Sequence, residues 1–167
     1  MWSVGKVRLT NFLNNFLKSA NLSAKRILHL YTYILFFIPL AFAALVELHS
    51  LLTKVSFSNL LKSPFVSVSV IIAFCDFLLG YYLWINKDKI LLEEKTYRSF
   101  MIIQAISQIL VGNLVCGILA LAGIYQAREL NSQKITRTDK IIKITSIIML
   151  VIFGMCFAML MMIGLRK

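Results

Sequence analysis

FMIIQAISQILVGNLVCGILALAGIY, residues 100–125, runs for 26 residues without a formal charge. About 20 helical residues cross the roughly 30 Å hydrocarbon core of a bilayer, so this stretch reads as one membrane span. Three others join it. They are ILHLYTYILFFIPLAFAALV over 27–46, FVSVSVIIAFCDFLLGYYLWI over 65–85, and the apolar run over 141–165. Charge bounds each one: Lys25, Arg26 and Glu47; Lys62 and Lys87; Arg98 and Arg128; Lys140 and Arg166. The expected fold is all-α: a bundle of four transmembrane helices, antiparallel in sequence because the connections are short.

Composition supports a chain whose solvent is largely lipid. Of 167 residues 59% are hydrophobic and 15% charged, and the mean hydropathy is +0.81. A water-soluble domain of this size cannot cover that much apolar surface, and a disordered chain would not contain it. Seven glycines form no phosphate-cradling run, and the three cysteines, Cys75, Cys116 and Cys156, are scattered one per apolar stretch. Neither a disulfide framework nor a thiolate metal site is expected, and no cofactor is implied.

Local signals set the helix ends. Ser63-Pro64 reads as an N-cap followed by the first helical residue. Pro39 interrupts the first stretch, and a kink over 35–39 is expected there. Tyr81, Tyr82, Trp84 and Tyr125 suit the aromatic belt at a membrane interface. Leu51, Leu52, Val55, Leu60 and Leu61 suggest a further surface helix in the loop over 47–63.

Residues 1–22 have a different pattern. On a helical wheel Trp2, Leu9, Phe12, Leu13, Phe16, Leu17 and Ala20 share one side, opposite Ser3, Arg8, Asn11, Asn14, Asn15 and Lys18. This predicts an interfacial amphipathic helix. Trp2, Phe12 and Phe16 would enter the acyl boundary, and Lys6, Arg8 and Lys18 would meet anionic headgroups. A mitochondrial presequence has a similar pattern, but Arg8 is the single arginine before Lys25, and such segments are Arg-rich. A retained helix is the expected reading.

Lysines and arginines total 18 against seven acids. They flank the apolar stretches, so the net charge of +11 reads as a headgroup-facing rim rather than a nucleic-acid surface. With four spans, the positive-inside rule favours both termini in the cytoplasm, although the basic segment from Arg128 to Lys143 opposes that assignment.

Asp76 is the residue that needs an explanation. It lies eleven residues past Phe65 in a 21-residue span. Inserting an aspartate at that depth costs about 2.5–3.5 kcal/mol. Ser69, Ala73, Asp76 and Gly80 share one helical face. Gln104, Gln108 and Gly112 make a matching stripe on the third stretch, with Asn113 nearby. The expected arrangement packs these two stretches together, with Asp76 bonded to Gln104 or Gln108. Gly154 and Ala158 form a small-xxx-small pair that predicts another helix contact.

Function is narrowed mostly by exclusion. Membrane aspartyl proteolysis needs two facing carboxylates, where Asp76 stands alone, serine proteolysis a histidine at depth, which the sequence does not identify, and phosphoryl transfer an acidic metal cluster, which it lacks; an enzyme is disfavoured without being excluded. The expected role is a non-catalytic subunit or accessory of a membrane complex. It would act through helix–helix and lipid contacts with other membrane subunits or a second copy, and without nucleic acid. The alternative is a small transporter or homo-oligomeric channel in which Asp76 binds a proton or cation.

Overall fold

Ser23 opens the first helix: its hydroxyl oxygen accepts from the Arg26 backbone N–H at 3.4 Å. From there α1 runs over Ala24–Thr53, continuing as one helix past Pro39, and ends at Lys54 in the left-handed region with φ 54°. The computed structural model describes residues 23–130 and 138–165. The amphipathic segment 1–22, with Trp2, Lys6, Arg8, Phe12, Phe16 and Lys18, lies outside them. A single helical turn, α2 (Phe57–Leu60), is all the surface helix that forms between the first two long helices. Ser63 then caps α3 (Pro64–Leu91), with Pro64 in the first turn, where its missing N–H leaves no bond unmade.

The third apolar stretch departs from expectation. It is not one span over 100–125 but two helices, α4 (Glu94–Leu110) and α5 (Leu114–Gln126), joined by a tight turn. The turn is a Schellman motif. Gly112 adopts φ +80°, its N–H reaches the Ile109 carbonyl at 3.1 Å, and the Asn113 N–H reaches the Gln108 carbonyl at 2.8 Å. Asn113 at once caps the next helix, accepting from the Cys116 N–H at 3.3 Å. A glycine stop followed by an asparagine start thus outweighs the hydropathy of the surrounding sequence.

Helix α5 runs back along α4. A Cβ on Gly117 would lie 3.0 Å from Ile109, and one on Gly123 would lie 2.8 Å from the Tyr97 hydroxyl and 3.2 Å from Met101. Pairing of residue 117 with 109, and of 123 with 97 and 101, defines an antiparallel hairpin. Gly117, Ala120 and Gly123 let the two backbones approach. After a short 3-10 turn (Ala127–Glu129), α6 (Thr138–Leu165) completes the molecule. The described residues contain no strand.

Helices α1 and α3 are antiparallel. Tyr33 meets Trp84 with ring centroids 6.0 Å apart, and Phe36 meets Phe77 at 5.2 Å. The Tyr97 hydroxyl donates to the Ala24 carbonyl at 3.2 Å, which fixes the open end of the hairpin beside the start of α1. Met159, Met162 and Ile163 lie with Pro64 and Ser67, so α6 finishes at the other end of the bundle from Ala24. Hairpin helix α5 packs on α1 and α4 on α6. The core between them holds Tyr31, Leu35, Leu79, Phe100, Met101 and Phe153.

Three helices, Ala24–Thr53, Pro64–Leu91 and Lys140–Leu165, are long and apolar enough to cross a membrane. The outward residues of these helices are Phe37, Leu45, Phe74, Ile148, Met155 and others of the same kind, which water would not tolerate as a continuous surface. The protein is membrane-embedded. At about 1.5 Å per residue, α5 is some 20 Å long, short of the hydrocarbon thickness.

Candidate binding site at the hairpin tip

Asp76 lies midway along α3, and the hairpin tip meets it there. The Gln108 side-chain N–H donates to Asp76 Oδ1 at 2.8 Å, and Asn113 Nδ2 approaches Oδ2 at 3.5 Å. Asn113 has no freedom in this. Its Oδ1 is committed to the Cys116 N–H, so the amide nitrogen must face the carboxyl. Asp76 therefore accepts on both oxygens and takes its contacts from neutral amides. It is 2% exposed.

One helical turn before Gln108, Gln104 is engaged differently. It does not reach Asp76; its Oε1 accepts from the Tyr31 hydroxyl of α1 at 3.4 Å. Two buried atoms on this face have no partner, Gln104 Nε2 and Gln108 Oε1. A donor and an acceptor thus stand one turn apart on α4, each left without a bond. Tyr31, fully buried, was not singled out by sequence reasoning, because an aromatic inside LHLYTYILFF reads as one more lipid-facing ring.

The small-residue stripe on α3 divides between two neighbours. Asp76 faces the hairpin, but Gly80 faces α1: a Cβ there would lie 3.3 Å from Leu35 Cβ. The expectation that Ser69, Ala73, Asp76 and Gly80 form one face against the third stretch is corrected accordingly. The hairpin tip meets α3 at Asp76. Ser69, whose hydroxyl donates to the Phe65 carbonyl at 2.9 Å, and Ala73 line open space instead. Gly112 is required by its backbone angle, not by packing, since nothing lies within 4 Å of a Cβ placed on it. Gly154 likewise has open space around it and Ala158 is exposed, so this pair makes no helix contact among the described residues. The inward face of α6 is set by Ile142, Ser146, Phe153 and Cys156, which lie out of phase with that pair.

Below the tip lies a cleft of about 530 Å³. Asp76, Asn113 and Ser69 give it a polar side, and Ile38, Phe42, Phe65, Ile72 and Leu160 form its apolar walls. It occupies the half of the bundle that the hairpin does not enter. Non-helical backbone at membrane depth is tolerated where it lines such a cavity, and the turn at 111–113, with Gly112 exposed, lines this one.

Elsewhere the polar groups are local. Thr96 donates to Glu93 at 2.7 Å where α4 begins. His29, with a buried and unpartnered Nε2, lies beside Thr32, Tyr33, Trp84 and Lys87 at the Ala24 end, and the Lys87 ammonium sits 4.8 Å from the Trp84 ring centre. Cys75, Cys116 and Cys156 are buried free thiols. Among the described residues no three His, Cys, Asp or Glu side chains are grouped to hold a metal ion. Compared with known proteins, the chain matches no family model, no curated sequence and no solved structure.

Proposed function

We propose that the protein is a small membrane carrier or pore-forming unit whose working group is the Asp76 carboxyl, taking up a proton or a cation at the tip of a re-entrant hairpin. One observation carries this reading: the carboxyl is bonded to amides at a helix break and also lines the cleft below that break. Transporters use discontinuous helices at mid-membrane for this purpose, because a break frees polar groups where hydrocarbon would otherwise forbid them. An ionisable group at such depth is costly to keep without a use.

The test is proton and cation flux in liposomes containing the purified chain. Asp76→Asn abolishes flux on this reading while the protein keeps its size in detergent. Flux that is absent in the wild type, or unchanged by the substitution, overturns it.

A second reading is favoured by the outer surface. Beyond Pro39, α1 exposes Leu40, Leu45, Leu48, Leu51 and Leu52, and α6 turns Gly154 and Ala158 outward. These faces suit a non-catalytic subunit or accessory of a membrane complex, bound through helix contacts to other membrane subunits or a second copy. Affinity purification from native membranes tests it: a stoichiometric membrane partner supports the role, and a monomer without companions removes it.

Four crossings remain the reading from hydropathy alone; we favour three crossings and a hairpin. On this topology the basic residues fall into order. Among the described residues, nine lysines and arginines lie toward the Ala24 end (Lys25, Arg26, Lys87, Lys89, Lys95, Arg98, Arg128, Lys140 and Lys143), and Lys54 and Lys62 lie at the other. The segment from Arg128 to Lys143, which opposes a four-span orientation, agrees with this one. The Ala24 end is then cytoplasmic and contacts anionic headgroups, and Leu165 faces the opposite compartment, not the cytoplasm. An interfacial amphipathic helix over 1–22 would lie along that same cytoplasmic leaflet.

A further inference from the structure

The cleft beneath the hairpin tip also limits what Asp76 can bind. We infer that it takes a lipophilic organic cation, one whose charged centre meets the Asp76 carboxyl while its apolar body fills the cleft. This inference rests on the reading of Asp76 as a cation-binding group and names the class of cation.

Three observations support it. The first is charge. Asp76 is held by two neutral amides, and among the described residues the basic side chains lie toward the helix ends, so no described side chain balances an ionised Asp76 and a cationic ligand can do so. The second is the wall. Phe42, Phe65, Ile72 and Leu160 present carbon, and two of them are aromatic, a residue type whose ring attracts a cation. A hydrated inorganic ion finds too few oxygens here. Such ions ask for about six or more oxygen ligands, whereas among the described residues the cleft offers polar groups only from Asp76, Asn113 and Ser69. The third is size. A cleft of about 530 Å³ suits a drug-sized molecule, within the roughly 300–1,000 Å³ of small-molecule sites, and is far larger than a bare proton requires. Anionic and neutral amphiphiles fit the walls but not the carboxylate.

The experiment measures binding of radiolabelled tetraphenylphosphonium to the full chain in non-ionic detergent by equilibrium dialysis. Tetraphenylborate, of the same shape and opposite charge, is measured separately. One saturable phosphonium site per chain is expected, with no saturable site for the borate. Asp76→Asn and Ala73→Phe each weaken phosphonium binding at least about tenfold. Ala73 lines the cleft one turn from Asp76 and is not among the carboxyl's hydrogen-bond partners, so Ala73→Phe, which narrows the cleft, decides the matter if Asp76→Asn does not stay folded. Phosphonium binding that survives Ala73→Phe, or borate binding of equal strength, overturns the inference. Asp76-dependent proton flux without phosphonium binding overturns the ligand class and leaves the carrier reading standing. Phosphonium binding without Asp76-dependent flux does the reverse.

Discussion

At the scale of single residues, the stakes are set by where hydrogen bonds end inside hydrocarbon. Gln108 makes a 2.8 Å bond to Asp76, whereas Gln104 makes a 3.4 Å contact to Tyr31 and leaves its own nitrogen unpartnered. The two glutamines are one turn apart and equally buried, but their replacement has different consequences. Gln108→Leu strips one oxygen of a buried carboxyl of its donor and is expected to cost about 1–3 kcal/mol. Gln104→Leu leaves the Tyr31 hydroxyl without its acceptor but loses only a long, neutral 3.4 Å bond and removes an orphaned donor with it, so it is expected to cost less. Pairing Gln108→Leu with Asp76→Leu removes both ends of the strong bond, so the double variant is expected to be more stable than Gln108→Leu alone. Unfolding in mixed micelles measures all four proteins. If Gln104→Leu proves the costlier single change, the assignment of roles along this face is wrong. Membrane hydrogen bonds average only about 0.6 kcal/mol, so the contrast depends on burial more than on bond count.

Among the elements, the long helices were legible in the sequence and the hairpin was not. Apolar runs bounded by lysine, arginine and a Ser-Pro pair foretold the helices Ala24–Thr53, Pro64–Leu91 and Thr138–Leu165, although each helix outruns its apolar run, the first by half its length again. The third run misled for a physical reason. Val111, Gly112 and Asn113 carry no charge, so a hydropathy window passes over them, yet Gly112 and Asn113 are a helix-stop and helix-start pair. Both residues were visible as candidates, read as packing and polar contact instead of as a turn. The Asp76 cluster was legible in part. Gln108 and Asn113 follow from polar spacing, whereas Tyr31 and the division of the α3 stripe depend on helix crossings that spacing does not fix. Gly112→Ala tests the turn: a side chain at φ +80° costs about 1–2 kcal/mol with no lost contact to blame, since the surrounding space is open. Gly112→Asn, which tolerates the left-handed region, is expected to recover most of that loss in the same unfolding assay. Gly123→Val, driven against Tyr97 and Met101, is expected to loosen the hairpin by a further mechanism, at about 1–3 kcal/mol.

For the whole molecule, the number of crossings decides which compartment each exposed site meets. Ser63 and Lys95 are both exposed, at opposite ends of the bundle. With Ser63→Cys and Lys95→Cys made singly, in sealed native membrane vesicles that keep the cytoplasmic face inside, a membrane-impermeant maleimide is expected to label the first directly and the second only after the vesicles are opened. Cys75, Cys116 and Cys156 are buried, so the parent protein supplies a silent background. Labelling of Lys95→Cys from outside would reverse the orientation, and labelling of both from one side would remove the three-crossing topology.

The bond between Gln108 and Asp76 also imposes a schedule. Its two partners are separated by 32 residues, and the acid is synthesised first. Helix α3 must therefore enter the lipid with an unmatched carboxyl, a burden of about 2.5–3.5 kcal/mol on translocon scales, relieved only when the hairpin arrives. Biogenesis of this protein is thus ordered in time. A nascent chain stalled before Asn113 emerges would hold an aspartate-bearing helix poorly retained by the bilayer, exposed to quality-control proteases until the rest of the chain docks.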